Sequence, residues 1–189
     1  MKSILALLVT LPLFILGCDD ESNSKSGSAR PAPGEPIAIA GLKFDLPSDW
    51  VVEEPKSLSA MIPRLAQFRL PRAEGEADDG QLVALHAMGS VEANIERWKK
   101  QFAGGAAPAA PEVFEVDGLR CTVVDISGTF SVPPFARKEG QPSSRENQRM
   151  IGAILQSPER LTFFKATGSI DTIGKHRDAI LAFLKSGRR

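Results

Sequence analysis

The chain has 189 residues, of which 42% are apolar and 24% charged, and its 23 Lys and Arg balance 23 Asp and Glu. That composition describes one ordinary soluble domain. It excludes a general nucleic-acid binder, which needs a surplus of cations to displace counterions from phosphates, and a chain disordered throughout.

The N-terminus opens with Lys2, an apolar run from Ile4 to Leu16, and Gly17 directly before Cys18. The run is shorter than the roughly 20 residues that span a bilayer as a helix, so residues 1–17 read as a signal peptide that is removed. Ile15-Leu16-Gly17-Cys18 resembles the lipobox of bacterial lipoproteins. That resemblance implies a diacylglyceryl group on the Cys18 thiol, cleavage before it and acylation of the new amine. Each buried methylene contributes about 0.8 kcal/mol, and two or more chains hold stably where one does not. Asp19 resembles the retention signal that favours the inner membrane, with the outer membrane as the alternative. The expectation is a membrane lipoprotein facing the periplasm.

From Asp19 to Glu35 the sequence is rich in Ser, Pro, Gly and charge without apolar periodicity. Residues 18–35 therefore read as the lipidated Cys and a flexible tether spanning about 23 Å. A single domain follows over 36–185, with a tail at 186–189. Leu42, Phe44 and Leu46 share one strand face, and Pro47-Ser48-Asp49 reads as a turn into a second strand at Trp50 to Val52, making a hairpin. Leu65 to Leu70 and Leu82 to Ala87 predict an antiparallel pair on either side of the acidic tract Arg72 to Gly80. Ser90 offers an N-cap, and Val91, Ile95, Trp98 and Phe102 recur at helical spacing before Gly104-Gly105.

Val113 to Val116 and Leu119 to Ile126 flank Asp117-Gly118, a strong hairpin signal because a type I′ turn needs positive φ at both central residues. Gly128 to Asn147 reads as a long exposed excursion. Met150 to Leu155 and Leu161 to Ala166 predict a hairpin around Ser157-Pro158. Ile170, Ile173, Ile180, Leu181 and Leu184 mark a last helix, capped by Ser169 or Asp171 and stopped at Gly187. The order predicts an α+β fold, an antiparallel sheet packed by two main helices. Its expected core includes Leu42, Phe44, Trp50, Phe68, Trp98, Val123, Ile151, Phe163 and Ile180.

This pattern resembles the Mog1/PsbP-like fold group, which includes the DcrB-like and other small exported bacterial lipoproteins. The resemblance rests on residues 41–50 (GLKFDLPSDW), residues 90–98 (SVEANIERW), and Phe163-Phe164-Lys165 leading into a final helix. It implies an α/β/α sandwich and a binding or assembly module, with no catalytic set that transfers residue by residue.

The sequence carries little that points to catalysis. His86 lies on a strand face with Leu82 and Ala84 and reads as a partly buried structural His. His176, between Lys175 and Arg177, reads as solvated. Cys121 shares a face with Leu119 and Val123 and reads as a small buried hydrophobe. Glu74, Glu76, Asp78 and Asp79 lack the spacing of a calcium loop. No metal or cofactor is expected.

The least ordinary segment is Ser131 to Glu146, because a loop longer than about 15 residues is usually functional or disordered. Val132, Phe135, Arg137 and Lys138 are its candidate partner contacts, an apolar anchor beside basic side chains. The expected function is non-catalytic binding, with an envelope protein or polymer as partner. Two alternatives are a carrier of a small lipid or apolar ligand between sheet and helices, and a small hydrolase or redox protein using Cys121 with His86.

Overall fold

The computed structural model of the protein describes residues 34–56, 63–105, 109–134, 137 and 139–189. Cys18, Phe135 and Lys138 lie outside the described residues, as do residues 1–17, expected to be a signal peptide, and most of the expected tether. The expected α+β architecture is present: one large antiparallel sheet carries a helix on each face.

Ten strands and two helices form among the described residues. Strands β1 (Pro36–Ile39) and β2 (Leu42–Asp45) make a separate small sheet. The main sheet contains β3 (Val51–Glu53), β4 (Arg64–Leu70), β5 (Gly80–Ala87), β6 (Phe102–Ala103), β7 (Glu112–Val116), β8 (Leu119–Ser131), β9 (Ser144–Gln156) and β10 (Leu161–Ser169). Its order is β3-β4-β5-β10-β9-β8-β6, with β7 also pairing β8. The helices are α1 (Val91–Lys99) and α2 (Ile170–Lys185).

Alternation along the strands sorts the apolar residues into two layers. One face carries Phe68, Leu82, Ala84, Phe164, Ala166, Ile151, Ala153, Cys121 and Val123, covered by Ile173, Ile180, Phe183 and Leu184 of α2 and by the β1–β2 hairpin. Phe183 is the hub: its ring lies 5.1 Å from that of Phe44, 5.3 Å from Trp50 and 5.8 Å from Phe68. The other face carries Phe163, Ile154, Met150, Val124 and Ile126 beneath Ile95 and Trp98 of α1. All nine of the expected core residues are buried.

The local signals held at the helix starts and tight turns. Ser90 accepts from the Ala93 amide at 3.1 Å, and Ser169 caps α2 through the Thr172 amide at 3.3 Å. Asp117 and Gly118 have φ of 49° and 75°, the type I′ geometry that joins β7 to β8. The antiparallel pairs β4–β5 and β9–β10 form as read from the sequence.

Four readings need correction. The first hairpin is β1–β2, turned at Ala40 and Gly41 with φ of 52° and 83°, and not a pair across Pro47; the strand after the Pro turn joins β4 in the large sheet. Helix α1 ends at Lys99 with Lys100 as its cap, and Phe102 belongs to β6. The excursion is shorter than Gly128 to Asn147 because β8 runs on to Ser131 and β9 starts at Ser144. Finally, His176 is 2% exposed rather than solvated. Its Nδ1 accepts from the Trp50 indole N–H at 3.3 Å, and its Nε2 lies 2.8 Å from the Pro71 carbonyl.

Beyond Lys185 the chain stays in the fold. The Arg188 backbone pairs with Lys43 in both directions, at 3.0 and 2.6 Å, and its guanidinium meets Asp45 at 2.7 Å.

Candidate functional site

Strands β8 and β9 outrun their neighbour β10, whose last pairing is Ser169 with Gln148. Beyond that point they continue as a two-stranded arm, with Phe130 opposite Arg145 and Ser131 opposite Ser144. The arm is polar and exposed along β9, so backbone pairing rather than burial holds it out. Three contacts brace its base. Strand β6 pairs Phe102 with Phe130 and Ala103 with Thr129. The Gln101 carbonyl accepts from the Ser131 amide at 2.8 Å. Arg149 donates twice to Asp125, through Nε at 2.8 Å and Nη2 at 2.6 Å, and this pairing raises the Arg149 pKa. Gly128 is required here: with φ of 145°, a Cβ would lie 2.6 Å from the Ala103 carbonyl oxygen.

The acidic turn between β4 and β5 rises on the other side. Asp79 holds it in shape by accepting from the Arg72 amide and from Arg69 Nη1, each at 2.9 Å. These bonds, the backbone one first, hold the Asp79 carboxyl below its ordinary range. The Ala73 amide donates to Thr172 Oγ1 at 3.1 Å, fixing the turn to the start of α2.

Between arm and turn lies a cleft of about 360 Å³. Gln81 and Thr167 belong to its sheet floor, Phe102 and Phe130 form an aromatic wall with ring centroids 5.2 Å apart, and Arg145 faces the acidic side formed by Glu76 and Asp78. The site therefore offers an apolar surface together with charges of both signs. Such a surface suits an extended polar chain, protein or polymer, with one apolar group.

The residues singled out from the sequence fall around this cleft unequally. Val132 is half-buried at the root of the remaining loop, where its amide donates to the Ser143 carbonyl at 2.9 Å. Arg137 is exposed, with its amide directed at Pro134 O at 3.3 Å. Neither lines the cleft. Arg145 does, together with Glu76, Asp78 and Asp79 of the acidic tract. The Phe102–Phe130 pair was missed because Phe102 fits the helical stripe; the signal was Ser127 to Ser131, which continues β8 without a turn residue after Gly128.

The Cys121 thiol is buried, and desolvation with the nearby Glu112 carboxylate pushes its pKa up to about 12. His86 stands in the same cross-strand row, but Leu155 and Thr162 intervene. Three ladder steps place the two backbones roughly 14 Å apart, too far for a thiol and its base to share a proton.

No protein-family model and no curated protein matches the sequence. Among solved structures, the chain is similar to cyanobacterial PsbP (CyanoP) from Synechocystis sp. PCC 6803, with TM-score 0.50 and 11% identity over 86% of this chain and 95% of that one. It is also similar to PA94 of Pseudomonas aeruginosa, a protein of unknown function, with TM-score 0.46 and 13% identity over 80% of this chain and 93% of that one. The protein has a PsbP-like fold. At these identities the likeness defines architecture and leaves function to the site.

Proposed function

We propose that this protein is a lipid-anchored bacterial envelope protein whose domain works by non-catalytic binding, with an envelope protein or polymer held in the cleft between the acidic turn and the β8–β9 arm. The observation that carries the reading is the cleft itself, where the Phe102–Phe130 pair, Arg145 and the carboxylates of Glu76 and Asp78 line one space. An aromatic anchor flanked by charge supplies affinity through burial and selectivity through complementary sign. The anchor rests on Gly17-Cys18 after the apolar leader, and the tether holds the domain at a root-mean-square distance of about 23 Å from the headgroups.

Cross-linking in intact cells tests the reading. Cells carry either the native protein or a variant in which residues 132–143 are replaced by a short Gly/Ser turn, which keeps the arm and cleft. The partner bound at the cleft should persist in that variant and vanish in Arg145→Glu with Phe130→Ala. Identical adducts in all three proteins would reject the cleft. Fractionation of Cys18→Ser cells tests the anchor: the protein should leave the membrane pellet for the soluble periplasm, and an unchanged pellet would overturn it.

A further inference from the structure

A second cavity, of about 510 Å³, lies at the opposite end of the sheet, below the Ala40-Gly41 turn and beside the β9–β10 turn. It lies at the end of the α2-side layer, whose interior Phe44, Phe164 and Phe183 fill and to which Leu42 and Leu155 belong. Its apolar surface comes from Leu42, Leu119 and Leu155; its polar side brings together His86, Arg160 and Arg189. The fold unites them because β5, β9 and β10 end in register, with Leu155 opposite Thr162 and Thr162 opposite His86.

We propose that this cavity binds a small monocarboxylate with an apolar body, its carboxylate between His86 and Arg160 and its hydrocarbon on Leu42, Leu119 and Leu155. Charge complementarity selects that occupant. Two guanidinium groups and an imidazole line the cavity, and the one acidic side chain among the lining residues, Glu159, is 82% exposed and 3.8 Å from Arg160. Arg189 is braced from outside by Asp117 at 3.2 Å. The β9–β10 turn holds the Arg160 backbone: Ser157 Oγ donates to the Arg160 carbonyl at 2.8 Å and accepts from its amide at 3.3 Å. Thr162 Oγ1 sits 3.4 Å from His86 Nδ1, so a hydroxyl holds the ring.

Burial and then the Arg160 charge hold the His86 pKa below its ordinary value. An anion between them opposes both effects, so binding raises the His86 pKa. By linkage, affinity falls as pH rises through the liganded value. A neutral amphiphile lacks this coupling, and a small carboxylate without a hydrocarbon body lacks the apolar contact.

The test is an NMR titration of the purified protein carrying labelled histidine, with octanoate as probe and octanol and acetate as controls. The chain has two histidines, and the buried His176 serves as the internal reference. Octanoate should shift the His86 ring signal saturably and raise its titration midpoint, leaving His176 unmoved. Octanol and acetate should bind at least roughly tenfold more weakly. Arg160→Gln, which preserves the turn's backbone bonds, should raise the His86 midpoint of the free protein and weaken octanoate roughly tenfold. An absent or non-saturable octanoate shift would overturn the proposal, as would equal binding of octanol or an Arg160→Gln protein that binds as the native one does.

Discussion

Gly152 and Trp98 offer the sharpest check on how α1 meets the sheet. Gly152 lies on β9 beneath the indole, and a Cβ there would sit 2.6 Å from Trp98 Cζ3 and 2.8 Å from Cε3. Ordinary carbon contacts are about 3.5 to 4.0 Å, so Gly152→Ala must drive the ring off by roughly 1 Å. The ring has nowhere easy to go. Phe163 meets it edge-on with centroids 4.8 Å apart, and Lys165 Nζ stands 5.5 Å from its centroid. Overpacking of this kind costs about 1–3 kcal/mol, offset by about 0.4–1 kcal/mol from the lower unfolded-state entropy of Ala. The net loss should be about 1–2 kcal/mol, a fall of about 0.5–1 M in urea midpoint for a slope of about 2 kcal/mol/M. Trp98→Ala alone should lose about 3–5 kcal/mol. In the double variant the new methyl meets empty space, so the two losses should fall short of their sum by about 1–3 kcal/mol. A Gly152→Ala penalty that is unchanged without the indole would refute this packing.

Three further outcomes follow from buried groups. Cys121, with its thiol pKa near 12, should resist thiol reagents at pH 8 until the protein is unfolded; rapid labelling of the native protein would restore the Cys121–His86 reading. Lys165 is half-buried over Trp98, and desolvation first, then Arg97, lowers its pKa from 10.5 to about 8. The unfolded chain then holds more protons between about pH 8 and 10.5, so stability contributed by this residue rises with pH across that window and the penalty is fully present below it. Lys165→Met should remove that slope and stabilise the protein at pH 7 by about 1–3 kcal/mol, and urea midpoints at pH 7 and 10.5 that shift equally would contradict it. His176→Leu should lower stability by about 1–3 kcal/mol for each abandoned partner, the Trp50 N–H and the Pro71 carbonyl; a neutral result by thermal melting would show that both find water.

Features set by neighbouring residues were legible in the sequence, and those set by distant pairing were not. Asp117-Gly118 and Ser90 announce their structures because the constraint is local, a positive φ or an orphan helix amide. Ala40 hid the first hairpin, since a non-Gly residue at φ of 52° is uncommon. The β8–β9 arm was hidden for a different reason. Its residues are polar on β9 and partner each other through the backbone, so no apolar alternation marks them. His176 was misplaced by its charged sequence neighbours, although the spacing 173, 176, 180, 184 puts it on the buried stripe of α2. Both cavities escaped because each gathers residues from strands far apart in the chain, and only register brings them together.

The central claim is that the cleft between the acidic turn and the arm is where a partner sits. Photo-cross-linking in living cells tests it directly, with p-benzoylphenylalanine replacing Gln148 inside the cleft or, as a control, Met88, which is 90% exposed outside both cavities. A discrete adduct from position 148, absent from position 88 and abolished by Arg145→Glu, is the predicted result. An adduct from position 88 with none from position 148 would contradict the account.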